Sequence, residues 1–183
     1  MKNANKQTEE IILRPFERHD FTRLISWLPT EAAHVEWCAA FFRFPLDETQ
    51  LEQYLESSKQ PNGRAVFVGE TSSGEAVGHV EISHIWPHLS SRLSRVLVAP
   101  AKRHCGIGTS MIAQALTFSF RTHHLARIDL GVSQDNRAAI ACYAKLGFEH
   151  VGTWTAAMMA NKKLIDVYWM TITKENWAAH SSC

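Results

Sequence analysis

The chain has 183 residues, of which 45% are hydrophobic and 20% charged, and its formal net charge is +1. This length suits one domain with a substantial core, and the near-neutral charge argues against a nucleic-acid-binding surface. No apolar run is long enough to cross a membrane. Residues 1–10 lack a signal-peptide core and the four cysteines show no paired spacing, so we expect a flexible tail, reduced thiols and a cytoplasmic location.

The N-terminal third of the chain predicts one strand followed by three helices. Residues 11–14 consist of three apolar residues and Arg14 and precede a proline, which is typical of a short strand. Asp20, Thr30 and Asp47 are each placed to cap a helix whose apolar residues recur at helical spacing. A turn is expected where Pro61-Asn62-Gly63 follows the third helix.

The middle of the chain predicts three consecutive strands, at residues 65–69, 77–85 and 92–98. Successive side chains of a strand point to opposite faces of its sheet. In the second strand, Val80 and Ile82 are expected on one face. The other face then carries His79, Glu81 and Ser83.

The stretch from Arg95 to Ile112 reads as a buried strand, a turn and the start of a helix. The turn contains Arg-x-x-Gly-x-Gly, at Arg103, Gly106 and Gly108. The first N–H groups of a helix are unpaired and carry partial positive charge, and glycine lets the backbone approach a ligand closely. The pattern therefore predicts a site for a phosphate group.

Two common phosphate-binding motifs do not fit this turn. The dinucleotide fingerprint needs a third glycine where this chain has Met111. The Walker motif needs a lysine after its last glycine, and Gly108 is followed by Thr109 and Ser110. The turn instead resembles the acyl-CoA signature of the Gcn5-related N-acetyltransferases (GNAT), in which Arg/Gln-x-x-Gly-x-Gly/Ala joins a strand to a helix.

The last third of the chain predicts a strand, a helix and two more strands. The strand covers 127–132, and the helix runs from a cap at Asp135 to a stop at Gly147. The closing strands cover 148–156 and 164–173, and 175–183 is expected to be a tail.

A second stretch strengthens the resemblance. It is similar to the family's Asn-x-x-Ala-x-x-x-Tyr-x-x-x-Gly-Phe helix, here Asn136, Ala139, Tyr143, Gly147 and Phe148. Over residues 11–174 the resemblance implies a single α/β domain of the GNAT-like acyl-CoA N-acyltransferase fold, with a central mixed, mostly antiparallel sheet flanked by helices. Shorter segments are similar to the RimJ/RimL-like branch: Phe44–Leu55, Arg95–Leu97 and Tyr168-Trp169.

The resemblance implies acetyl-CoA as the cosubstrate and no metal. The backbone of the strand would pair with the pantetheine arm, the turn would hold the pyrophosphate, and the second helix would contact the cofactor. The residues implied are Val96, Leu97, Val98, Arg103, His104, Cys105, Gly106, Ile107, Gly108, Thr109, Asn136 and Tyr143.

His104 and Cys105 depart from the family pattern, which more often has glycine followed by lysine or glutamine. If position 104 requires a positive φ, histidine there carries strain that glycine avoids. The Cys105 thiol either lines the phosphate site or turns to solvent.

The implied reaction is direct attack of a primary amine on acetyl-CoA. Tyr143 would stand near the departing sulfur as the general acid. Some relatives have a glutamate as the base where this chain has Gly131, so the base must lie elsewhere. We expect Glu81 to face the cleft in this role, with His79, His84 or a water chain as alternatives.

The acceptor is an amine of a small molecule or a peptide or protein N-terminus. Five aromatic residues of the N-terminal region read either as core or as a lid over the acceptor: Trp27, Trp37, Phe41, Phe42 and Phe44. Glu31, Glu36 and Asp47 face either a cationic amine or solvent. A homodimer is a further expectation, and a non-catalytic acyl-CoA sensor or regulatory module is the alternative function.

Overall fold

The computed structural model describes residues 10–60, 63–160 and 163–181. Residues 1–9 of the expected tail, positions 61 and 62 of the expected turn, and Cys183 lie outside this range. The helices and strands follow each other as β1 (Ile11–Pro15), α1 (Phe21–Ser26), α2 (Glu31–Cys38), α3 (Glu48–Ser58), β2 (Arg64–Thr71), β3 (Ala76–Trp86), β4 (Ser90–Val98), α4 (Ile107–Thr122), β5 (Arg127–Ser133), α5 (Arg137–Lys145), β6 (Glu149–Ala160), β7 (Lys163–Thr173) and α6 (Lys174–Ser181).

The strands form one seven-stranded sheet in the order β1-β2-β3-β4-β5-β7-β6. Among the described strands, β4 and β5 pair in parallel and every other neighbouring pair is antiparallel. The parallel pair is joined through α4, as a parallel connection requires a crossover. The mixed, mostly antiparallel α/β sheet expected from the sequence is confirmed.

One face of the sheet packs on α4 and α5. Val80 and Ile82 lie in this core, as expected, together with Met111 and Leu116 of α4. The helix approaches the sheet closely at Gly78, where a Cβ atom would lie 2.4 Å from the Met111 sulfur. That glycine brings α4, and therefore the turn before it, against β3 and β4.

The opposite face packs on the N-terminal helices. A second core there includes Leu24 of α1, Trp37 of α2, and Leu51 and Tyr54 of α3. These helices cover the face of β3 that the alternation predicted to be polar. The side chains of His79, Glu81 and Ser83 are accordingly buried.

The helix caps are partly as expected. The side chain of Thr30 accepts from the backbone of Ala33 at 3.3 Å, and Asp47 accepts from that of Gln50 at 2.8 Å. Asp20 precedes α1, but its side chain makes no cap bond.

Asp20 instead accepts two hydrogen bonds of 2.7 Å from Arg14 of β1. The prediction that Asp135 caps α5 is also wrong. That cap is Asn136, whose side chain accepts from Ala139 N at 3.0 Å.

The C-terminal segment differs from the tail expected over 175–183. Residues Lys174–Ser181 form α6, and Trp177 packs against the α4 core. An apolar side chain therefore orders a segment that reads as polar. No helix in the described ranges has the length and hydropathy needed to cross a bilayer.

Candidate functional site

A cleft of about 720 Å³ opens where β4 and β5 separate. The two strands pair only at Ser90, Ser91 and Arg92 of β4, and they diverge towards their carboxyl ends. The backbone of Val96–Val98 borders the gap, with Gly131–Ser133 on the opposite side. This edge of β4 is available to an extended ligand, which can pair with it as an added strand does.

A bulge in β4 lies three residues beyond its last pair with β5. His79 of β3 lies opposite Leu97, but Glu81 lies opposite Ser94, so Arg95 and Val96 together oppose one residue. Arg95 has a φ of +47°, which is unusual for a residue with a side chain. A bulge bends its strand and ends regular pairing, and here it turns β4 away from β5.

The bulge is held by hydrogen bonds from two side chains. The indole Nε1 of Trp37 donates to the carbonyl of Arg95 at 2.9 Å, and the Nδ1 of His79 donates to the same oxygen at 2.8 Å. Trp37 also lines the cleft. The N-terminal helices therefore determine the shape of the site.

The turn between β4 and α4 has the geometry of an anion site. Gly106 is the residue before the helix, with a φ of +81° and no side-chain cap. The first backbone hydrogen bond of the helix runs from Ser110 N to Gly106 O, so the N–H groups before Ser110 have no helical carbonyl to bind. His104 has a φ of +62°. A histidine at this positive φ carries the strain that was expected from the sequence and that glycine would avoid.

The charged residues of the turn lie at its surface. Lys102 and Arg103 both line the cleft, and Lys102 also pairs with Glu75 at 2.6 Å. Cys105 is exposed, its thiol lies 3.4 Å from the carbonyl of Arg103, and it is absent from the lining of the cleft. The solvent-facing alternative for Cys105 is therefore the one that the structure supports.

Tyr143 reaches the cleft from the second half of α5. It is 9% exposed and packs edge-on against Phe148 at 5.7 Å between ring centroids. Burial, with a smaller contribution from Cys142, raises the pKa of Tyr143 well above its usual range. The phenol therefore stays protonated and can donate to a group in the cleft.

Asn136, the cap of α5, and Cys142, the residue before Tyr143, also line the cleft. The Asn136 amide donates to Glu36 of α2 at 2.9 Å, a contact that joins the two sides of the cleft. The Cys142 sulfur lies 3.3 Å from the hydroxyl of Thr109, in the first turn of α4.

Glu81 faces away from Val80 and Ile82 as expected, but it does not reach the cleft. Its side chain is fully buried, where it accepts hydrogen bonds from Arg95 and Tyr54 and lies 3.9 Å from Arg64. Burial raises the pKa of the Glu81 carboxyl, but the hydrogen bonds and charge of Arg95 outweigh it and leave the pKa lowered. A carboxylate so held is a weak candidate for the base.

The two alternative bases occupy different environments. His79 is buried among aromatic rings, and burial lowers its pKa to about 4. His84 is exposed, and desolvation together with the charge of Arg92 lowers its pKa.

His84 connects to the cleft through two hydroxyl groups. Its Nδ1 lies 3.2 Å from the Ser83 oxygen, which lies 3.0 Å from the oxygen of Ser94. Ser94 lines the cleft. The sequence alone indicates His84 and places Ser83 on the polar face of its strand. It does not connect Ser83 to Ser94 and the cleft, because that contact joins adjacent strands.

The wall opposite α2 comes from the β6–β7 hairpin. Trp154 and Trp169 stack at 4.8 Å between ring centroids, and the guanidinium of Arg92 lies 4.7 Å from the Trp169 ring. All three residues line the cleft. This wall was not predicted beyond the mention of Trp169 in the resemblance.

The N-terminal aromatic residues divide between the two expected roles. Trp37 and Phe42 are core, with Trp37 also in the cleft wall, whereas Phe41 and Phe44 are 47% and 42% exposed. Of the three acids considered, Glu36 lines the cleft, and Glu31 and Asp47 do not. Within the described ranges, no three histidine, cysteine, aspartate or glutamate side chains are placed to hold a metal.

Comparisons with known proteins agree on one family. The model of the acetyltransferase (GNAT) family matches residues 30–148. The chain is 26% identical over 174 residues to spermidine N(1)-acetyltransferase of Vibrio cholerae, which covers 94% of this chain and 98% of that protein. It is 25% identical over 164 residues to aminoglycoside N(6')-acetyltransferase type 1 of Klebsiella pneumoniae, which covers 83% of this chain and 80% of that protein.

A solved structure supports the same fold. The crystal structure of spermidine N-acetyltransferase from Vibrio cholerae in complex with CoA and spermine matches with a TM-score of 0.81 at 25% identity, covering 92% of this chain and 98% of the other. The resemblance to the RimJ/RimL-like branch stays a prediction.

Proposed function

Because the chain belongs to the acetyltransferase (GNAT) family and is an acetyl-CoA-dependent N-acetyltransferase, we propose that it acetylates the primary amine of a small molecule in the β4–β5 cleft. The observation that carries the proposal is the meeting of three features in this cleft. They are the free edge of Val96–Val98, the helix-start turn at Gly106 and the hydroxyl-bearing Tyr143.

The cleft fits acetyl-CoA, which supplies an activated acetyl group as a thioester. The helix start at Gly106–Thr109, with Arg103 and Lys102, suits the negative charge of a diphosphate. The backbone of Val96–Val98 suits the amide-rich arm, because unpaired strand groups bind amides as a further strand would. Asn136 stands on the facing helix, where it contacts the same channel.

Tyr143 acts as the proton donor of the site. A thiol has a pKa of about 8.5 and tyrosine of about 10, so full proton transfer to a departing thiolate is uphill by roughly 2 kcal/mol. Since burial raises the pKa of Tyr143 further, its contribution is a hydrogen bond to the developing negative charge.

The amine proton leaves through Ser94, Ser83 and His84. An ammonium group with a pKa near 10.4 must lose a proton before it attacks, which costs about 4.6 kcal/mol at pH 7. The Ser94 oxygen accepts that proton and passes one to Ser83, and His84 Nδ1 receives the proton from Ser83. His84 is neutral at pH 7 because its pKa is lowered, and it returns the proton to solvent.

The relatives support an enzyme rather than a non-catalytic acyl-CoA sensor, because these matching proteins are acetyltransferases. A mixed panel of primary amines, incubated with acetyl-CoA and followed by release of free thiol, tests the proposal. We expect release that depends on both acceptor and enzyme. Thiol release no faster than spontaneous hydrolysis with every amine would contradict it.

A homodimer is proposed from the edge of the sheet. β6 pairs with β7 on one side only, and four large apolar residues of the described part of this hairpin are more than half exposed: Val151, Trp154, Met159 and Leu164. Apolar edge strands favour pairing with another chain. Sedimentation equilibrium is expected to give twice the monomer mass, and a monomer at micromolar concentration would contradict the dimer. The cytoplasmic location and a peptide acceptor stay predictions.

A further inference from the structure

We propose that the acceptor amine also carries a carboxylate and that Arg92 binds this carboxylate. The inference rests on the proposed acetyl transfer in the same cleft, and it names the chemical class of the acceptor. It starts from the position and environment of the Arg92 side chain.

Arg92 lies on β4 at the narrow end of the cleft, where β4 still pairs with β5. Its guanidinium lies over the ring of Trp169, at 4.7 Å from the ring centroid. Asp129 of β5 lies in register with Arg92. Its carboxylate is already bound, because it pairs with Arg127 at 3.1 Å and accepts a hydrogen bond from Thr171 at 2.7 Å. Among the described residues, no carboxylate lies within 4.0 Å of the Arg92 guanidinium nitrogens.

The other charges of the described cleft are already matched or lie elsewhere. Arg95 is held by the buried Glu81. Glu36 keeps its negative charge but is bound to Asn136, seven residues beyond the Asp129 position that lies in register with Arg92. Lys102 and Arg103 belong to the phosphate turn. The narrow end of the cleft, where we place the acceptor, therefore presents the positive charge of Arg92 without an acid bound to it.

Distance separates Arg92 from the phosphate turn. Val98 is six residues along the strand from Arg92, which is roughly 20 Å at about 3.3 Å per residue. One anion cannot therefore contact both. By contrast, Ser94 lies two residues further along the same face of β4, roughly 7 Å away.

This spacing suits an amine whose carboxylate is only a few bonds away. A planar guanidinium that rests on an aromatic ring offers two parallel N–H groups, the arrangement that binds a carboxylate best. The carboxylate then lies on Arg92 while the amine faces Ser94, the entrance of the proton path. A polycation such as spermidine gains no such contact and is repelled by the same charge.

The experiment compares each acceptor with its uncharged analogue. A series of L-amino acids and their carboxamides is assayed for thiol release from acetyl-CoA, with spermidine alongside, using the natural sequence and the Arg92→Gln variant. The effect of the variant is measured separately for each acceptor, so differences in amine basicity cancel.

We expect Arg92→Gln to lower kcat/KM about 10- to 100-fold for the amino acids, as the loss of one hydrogen-bonded charge pair does. The carboxamides are expected to change less than about threefold, which also shows that the variant is folded. Arg92→Lys keeps the charge and restores part of the loss. Arg121→Gln, which removes an equal charge from an exposed position of α4, serves as the matched control.

Three results would overturn the inference. Equal loss on acids and amides would make Arg92 a structural residue. If spermidine were acetylated faster than every amino acid and its rate did not change in Arg92→Gln, the site would be one for polycations. The proposed acetyl transfer would then still stand. Absence of thiol release with all acceptors would instead remove the proposed function, and the inference with it.

Discussion

Arg95 binds the carboxylate of Glu81 through two of its nitrogens beneath the cleft, while its own carbonyl forms part of the bulge that opens the cleft. The carboxylate is fully buried, and Tyr54 donates a further hydrogen bond to it. The guanidinium of Arg95 also lies 4.0 Å from the centroid of Phe41. This arrangement makes Glu81 a positioning residue for β4.

Glu81→Gln is expected to lower the free energy of unfolding by roughly 3–5 kcal/mol, because it leaves the Arg95 charge buried without its partner. The double variant Glu81→Gln, Arg95→Gln is expected to lose less than the sum of the two single changes. Urea unfolding measures both. If Glu81→Gln instead kept full stability and its kcat no longer fell at acidic pH, Glu81 would be identified as the base.

The same pair predicts a pH dependence of stability. Since the pKa of Glu81 is lowered in the folded protein, its contribution is complete above the ordinary value of 4.5 and is lost as the pH falls below it. Below pH 4.5, the unfolding free energy of Glu81→Gln is therefore expected to fall less steeply than that of the natural sequence. Parallel curves between pH 3 and pH 6 would contradict this.

Tyr143→Phe removes the donor but keeps the ring that packs on Phe148. We expect turnover to fall about 10²- to 10³-fold with little change in CoA affinity, as for the loss of one transition-state hydrogen bond. Steady-state kinetics and calorimetric titration with CoA separate the two quantities. A variant as fast as the natural sequence would assign Tyr143 to packing alone.

Ser94→Ala and His84→Gln interrupt the proposed proton path at its two ends. Each is expected to lower kcat about 10²-fold, the usual range for a general base. Because the pKa of His84 is lowered and its neutral form accepts the proton, activity is expected to fall with decreasing pH, with a midpoint below the ordinary histidine value of 6.5.

His19→Gln, at an exposed position outside the lining of the cleft, is the control for this path. The acidic limb is expected to disappear in His84→Gln and to persist in His19→Gln. An unchanged limb in His84→Gln would place the base elsewhere.

Gly106→Val is expected to abolish CoA binding while the fold remains, because a β-branched residue cannot readily adopt a φ of +81° before α4. Gly152→Val is the matched control, since a Cβ atom there meets nothing within 4 Å. Circular dichroism verifies folding, and calorimetry measures binding. Equal CoA affinity in both variants would remove the phosphate site from this turn.

Alkylation by iodoacetamide is expected to distinguish two cysteines. Cys142 lines the cleft beside Thr109, so saturating CoA should slow its labelling, whereas exposed Cys105 should react at nearly the same rate with and without CoA. Timed labelling followed by peptide mass spectrometry measures both sites in one sample. Protection of Cys105 alone would instead place this thiol in the phosphate site, which is the other alternative that the sequence left open.

Local chemistry along the chain determined the elements and the phosphate turn. The Thr30 and Asp47 caps act within one helical turn, so the sequence alone locates them. The turn at Arg103–Gly108 likewise depends on glycine and a helix start that are adjacent in the chain. Tyr143 was identified because its motif lies on one helix.

Tertiary packing decided which polar residues reach the cleft. Alternation in β3 separates two faces, but it does not show that α2 and α3 cover the face of Glu81. The contact of Ser83 with Ser94 and the position of Arg92 on Trp169 depend on how separate strands align in the sheet. Register and helix cover arise from burial of apolar surface summed over the whole domain, so no local pattern specifies them.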